Sequence, residues 1–216
     1  MFCNKRGQVW VETVIYTLIA LVMIGTVVSV VKPKIEESRD KAIIEQSLSL
    51  MKSIDSIFFD IKGAPGNQRV IELGITDGNL LIDAENDRIV FELESRYKYS
   101  EPGKNIEDGA SGIIIHTEEK GKFNNVTLTK NYYEDYNLTY SGRDELKFIT
   151  KSSAPYRVTI LNKGQNQFTD SSSTCTEANV EVRCANPLYS LDYTKSCVNG
   201  LCKYVSTKLT INLEVG

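Results

Sequence analysis

The sequence predicts an α+β protein: one very long N-terminal helix followed by an antiparallel, sandwich-like β domain. Three observations predict it. Residues 9–31 form an apolar run whose only charge is Glu12. Residues 35–61 then place apolar side chains mostly at threes and fours, with charged ones between them, which is the helical period. From residue 70 onward the pattern changes to short alternating or apolar runs broken by Asn, Gly, Asp and Pro, the mark of many short strands.

The first run sets the compartment. As a helix, residues 9–31 would be ~35 Å long, enough to cross a hydrocarbon core of ~30 Å. The run exceeds the ~7–15 apolar residues of an ordinary secretory signal, and no small-x-small cleavage site follows it. Lys5 and Arg6 precede it and hold the N-terminus in the cytoplasm, although Lys32 and Lys34 on the far side blunt that asymmetry. An ionised carboxylate at the centre of a bilayer costs ~2.5–3.5 kcal/mol, so Glu12 is expected to have a partner.

Beyond the run, Pro33 removes one backbone donor and crowds the preceding turn, which predicts a kink. Ile35, Ile43, Ile44, Leu48, Met51, Ile54, Phe58 and Ile61 then make one apolar stripe, and Gly63-Ala64-Pro65-Gly66 ends the helix. A helix over 8–62 would be ~80 Å long. Its first half asks for lipid or sister helices, its second for a domain to lie on.

That domain is expected to hold strands near 70–75, 112–116, 122–129, 136–140, 145–150, 156–161 and 203–215, with a hairpin pairing 80–82 and 89–93. Asp83, Glu85, Asp87 and Glu94 sit at calcium-loop spacings, but Arg88 replaces the required glycine and strands replace the flanking helices, so a solvated hairpin turn is expected. Segment 171–202 holds Cys175, Cys184, Cys197 and Cys202 and is short of apolar residues, which predicts a loop-like stretch stapled by two disulfides. Four cysteines allow three pairings, and spacing does not choose among them. Zinc is disfavoured because no close CxxC pair is present.

Catalytic chemistry finds little to use. His116 is the only histidine and ends an isoleucine-rich strand, with no GxSxG elbow, no HExxH and no phosphate-cradling glycine loop in the chain. No enzyme, cofactor or metal is expected. The net charge of −3 gives no basic footprint for nucleic acid. Asn125-Val126-Thr127 and Asn137-Leu138-Thr139 are acceptor sequons for N-glycosylation. Tyr132, Tyr133, Tyr136 and Tyr140 cluster nearby, as sheet-face packing or as an adhesive or subunit contact.

The order of basic leader, Gly7, Gln8, Glu12 and an unbroken apolar helix resembles the class III signal peptides of type IV pilin-like proteins. It is most similar to the archaeal branch, where glutamine follows the cleaved glycine; the chain departs from that pattern in having Trp10 where a serine is common. The resemblance covers about the first 31 residues. It implies cutting by a prepilin peptidase between Gly7 and Gln8, so that 1–7, with Cys3, Lys5 and Arg6, leave as a leader. Segment 8–31 then serves as transmembrane and later filament-core helix, 32–62 continues it, and 63–216 is the extracellular domain. The implied partners are copies of the chain in a helical homopolymer, the peptidase, a pilus assembly platform with its ATPase, and the membrane before assembly. Glu12 matches the family glutamate. The new α-amino group of Gln8 is cationic below a pKa of ~8, and a carboxylate one turn away, on the same or a neighbouring helix, pairs with it and sets axial register. The alternative is a single-span, membrane-anchored extracellular binding protein that never polymerises.

Overall fold

The computed structural model describes residues 5–184 and 193–216; Cys3 and residues 185–192 of the cysteine-rich segment lie outside them. One helix, α1 (Lys5–Ile61), leads into eleven described strands, which form two sheets. The fold is α+β, as the sequence predicts. The helix runs through Pro33 as one unbroken element. The missing donor leaves the Ser29 carbonyl without its intrahelical partner.

The first sheet contains β1 (Gln68–Leu73), β9 (Tyr156–Thr174), β11 (Leu201–Val215) and β10 (Tyr193–Val198), in that order. A further strand, β7 (Tyr136–Tyr140), also pairs with β11. The second sheet runs β4 (Asn105–Glu107), β5 (Ile113–Lys120), β6 (Phe123–Asn131), β3 (Arg88–Ser95), β2 (Asn79–Asp83) and β8 (Leu146–Thr150). All its neighbours are antiparallel. One pair departs from the expected antiparallel pattern: β7 lies parallel to β11. The chain reaches this position by leaving the second sheet after β6, and it returns to that sheet for β8.

One apolar cluster draws on all three parts. Ile44, Met51, Ile54 and Phe58 of α1 are buried with Ile82, Phe91, Ile113 and Leu128 of one sheet and with Ile160, Ile211 and Leu213 of the other. Buried positions alternate along β5 and β6, so one face of that sheet meets the core.

In its described residues the cysteine-rich segment is not loop-like. Strand β9 runs on to Thr174, and its far half pairs with the first half of β11, which in turn pairs with β10. Most side chains of 165–174 are exposed on both faces. This distal ribbon gains little from burial, and covalent links take over. Cys175 bonds to Cys197, and Cys184 at the end of the short helix α2 (Val180–Arg183) bonds to Cys202. Cys175, Cys184, Cys202 and Tyr204 form a second, small buried cluster of their own.

Candidate functional site

Residues 10–35 of α1 project from the domain. Sixteen large apolar side chains there, from Trp10 to Ile35, are between 41 and 74 % exposed. An 18-residue window of the helix has a mean hydropathy of 2.6 and no buried residue. At 1.5 Å per residue the projection is ~39 Å long. Burying such a side chain contributes about 1.5–3 kcal/mol. Half of that, summed over the sixteen, is about 12–24 kcal/mol, as large as the ~5–15 kcal/mol that holds a whole domain folded. A surface of this kind needs a cover. Glu12, near its start, is exposed and carries the only negative charge of residues 10–35. Gly7 and Gln8 fall within the first turns of the same helix.

The root of the projection is fixed by polar contacts. Asp40 accepts a hydrogen bond from the Arg96 backbone N–H at 2.7 Å, while Glu36 forms an ion pair with the Arg96 guanidinium. More than three turns beyond, Lys52 reaches Asp108 at 2.6 Å and Asp55 faces Lys130 at 3.7 Å. The Lys52 ammonium and the Ser111 hydroxyl hold the Asp108 carboxyl below the usual range. At the other end Asn162, fully buried on β9, donates to the Ile61 and Ala64 carbonyls at 2.9 and 3.3 Å. The Ile61 carbonyl is one that a helix end would otherwise leave orphaned. Two residues on, Gly164 has φ +81°, and a Cβ there would press on the Pro65 ring at 3.1 Å. The joint between helix and sheet needs a glycine.

The tyrosine group divides. Tyr132 is buried, with its ring 4.8 Å from that of Phe58, and Tyr136 packs edge-on to Phe58 at 5.6 Å. Burial, with Asp55 nearby, pushes the Tyr132 phenol well up. Tyr132 is therefore core, not surface: it fills the seam between α1 and the strands. Tyr140 is half-buried under Lys147, and Tyr133 alone of the four is exposed.

The turn after β2 also departs from expectation. Asp83 is buried, and its carboxylate accepts hydrogen bonds from Asn86 and from Arg88 Nε at 2.7 Å. Burial pushes its pKa up, but those bonds outweigh burial and the net shift is downward. Asp87, with φ +50°, accepts the Leu138 N–H at 2.7 Å, while its own carbonyl accepts the Tyr132 N–H. Burial raises the Asp87 carboxyl. Glu85 and Asn86 at the tip are exposed, as in a solvated turn, but buried Asp83 and half-buried Asp87 tie it down, Asp87 reaching β7 of the other sheet, and both carboxylates already serve protein donors. His116 Nδ1 lies 2.8 Å from Asn105 Oδ1 across the β4–β5 pair. Asn125 and Asn137 are half-buried in β6 and β7.

Sequence reasoning missed Asp40, Arg96 and Asn162, and it placed Asp87 in the turn without its bond to Leu138. Their contacts span 51 to 101 residues of chain, so no local pattern carries them. An unbroken apolar N-terminal helix followed by largely antiparallel sheets is a pilin-like architecture. The exposed helix points to membrane anchoring or secretion, and the two disulfides point to an extracellular domain. No protein-family model, no curated protein and no solved structure matches the chain.

Proposed function

We propose that the chain is a structural subunit of an extracellular, type IV pilus-like filament serving adhesion or surface attachment. It is stored in the cytoplasmic membrane with its β domain outside. A prepilin peptidase removes residues 1–7, and the assembly platform with its ATPase then moves α1 from lipid into a bundle of sister helices. The mature chain loses Lys5 and Arg6, taking the formal net charge from −3 to −5.

One observation carries this reading: residues 10–31 are apolar all round yet hold Glu12. A plain anchor has no use for a carboxylate at that depth, whereas a bundle of staggered helices can pair it with a neighbour's new α-amino group. Desolvation opposes the attraction, so the pair contributes register rather than net stability. The β domain, held at the root of the helix by Asp40 and Arg96, becomes the filament surface.

The test is the N-terminus of the mature protein. Sequencing of material sheared from producing cells should begin at Gln8. A start at Met1 or Phe2, in a protein found only as single membrane-bound chains, would favour the non-polymerising anchor.

A further inference from the structure

We propose that Asn125, and not Asn137, carries an N-linked sugar whose first residue lies over the polar groove on the solvent face of the second sheet. The inference rests on the outward-facing domain of the proposed function and on the different settings of two identical motifs. Asn125 stands on β6 beside buried Val126, so its side chain takes the face away from the core. Its cross-strand partners on that face are Glu94 and Glu118. Thr127, two residues on, shares the face and is half-exposed. The Asn125 side chain lines an open groove of about 590 Å³, together with Asp77, Asn79, Glu92 and Glu94. These carboxylates and amides are acceptors and donors that suit sugar hydroxyls.

The second motif is closed. The Thr139 side chain is buried, and its hydroxyl donates to Asn212 Oδ1 at 2.9 Å. The same oxygen accepts the Gly142 N–H at 2.6 Å, which draws the following loop over the site. Asn137 itself pairs with Thr210, which is 2 % exposed. A sugar at Asn137 has to part this packing.

The reaction is transfer from a lipid-linked sugar phosphate by a membrane transferase acting on the unfolded segment. The Asn125 Nδ2 bonds to the anomeric carbon and the carbon–oxygen bond to phosphate breaks. The phosphate leaves with the electron pair, and one amide proton passes to a base of the transferase. Folding then admits a sugar at Asn125 and rejects one at Asn137.

Trypsin cleavage after Lys122, Lys130 and Arg143 separates the motifs into peptides 123–130 and 131–143. In protein taken from the surface of producing cells, fragmentation mass spectrometry should find the mass of one or more sugars on Asn125 and none on Asn137. Asn125→Gln and Thr127→Ala should each abolish the gain while the mature chain still begins at Gln8. A bare 123–130 peptide from a surface-exposed chain that begins at Gln8 overturns the inference alone. So does a mass gain that survives Thr127→Ala, or a sugar found on Asn137. A β domain shielded from protease added to intact cells overturns the outward-facing reading as well.

Discussion

The two halves of α1 are one continuous helix with opposite surroundings. Residues 10–35 are exposed on every face, whereas residues 36–61 bury a single stripe: Ile43, Ile44, Ser47, Leu48, Met51, Ile54, Phe58 and Ile61. Both halves carry large apolar residues, but nine charges fall among residues 36–61 and a single acid among residues 10–31. That spacing confines the apolar residues of the second half to one face. A stripe at threes and fours fits a sheet face, while an all-round apolar surface has no match within its own domain and must find cover elsewhere. The domain thus stabilises only the half whose pattern it complements.

The sharpest way to probe that contrast is to delete bulk from each half. Phe58→Ala removes a fully buried ring that touches Tyr132 and Tyr136, and should cost the domain about 3–5 kcal/mol in denaturant unfolding. Val22→Ala, on the projecting half, should leave the domain's unfolding midpoint in detergent within about 0.5 kcal/mol of the parent. Equal effects would erase the distinction. A somewhat smaller change is expected in the distal ribbon. Replacing Cys184 and Cys202 together by Ser should cost about 2–4 kcal/mol, with hydrogen exchange quickened in β10 and the far half of β9 but not in 43–61.

The smallest effect concerns acid. Asp108 has a lowered pKa because Lys52 and Ser111 hydrogen-bond its carboxylate. The stability from that contact is complete above the ordinary carboxylate value of ~3.9 and is lost as pH falls through the lowered folded value. As a partly exposed ion pair it contributes about 0.2–1 kcal/mol. Lys52→Met should flatten that part of the acid profile. The Asp83 contribution has the same sign and should persist, since it depends on Arg88 and Asn86. Asp87 has the opposite sign: its raised pKa adds stability at low pH and loses it as pH rises through the folded value.

Much of this fold is legible because it is local. The helix limits follow from an unbroken apolar run, a stripe and the Gly63-Ala64-Pro65-Gly66 stop. The β2–β3 hairpin and β7 fall where alternation and turn residues place them. What is not legible is long-range. Nothing around Ser171-Ser172-Ser173-Thr174 marks a strand, because its order comes from pairing with β11 and from the disulfides. Asp83 looks like one more acid in a polar turn until Arg88 and Asn86 close on it. Asn162 falls just past the strand expected over 156–161, yet it caps a helix that ended 101 residues earlier. On the candidate site the contrast repeats: Glu12 is conspicuous by its apolar company, whereas Asp40 and Arg96 are ordinary charges until the domain brings them together.

The central claim is that the projecting half of α1 exchanges lipid for copies of itself, with Glu12 setting their stagger. It is tested most directly by Glu12→Ala in producing cells, comparing the amount of chain in the membrane with the filaments seen by electron microscopy. The account predicts membrane levels like the parent and filaments lost or disordered. Ordered filaments in parental number, built from chains with alanine at this position, would contradict it.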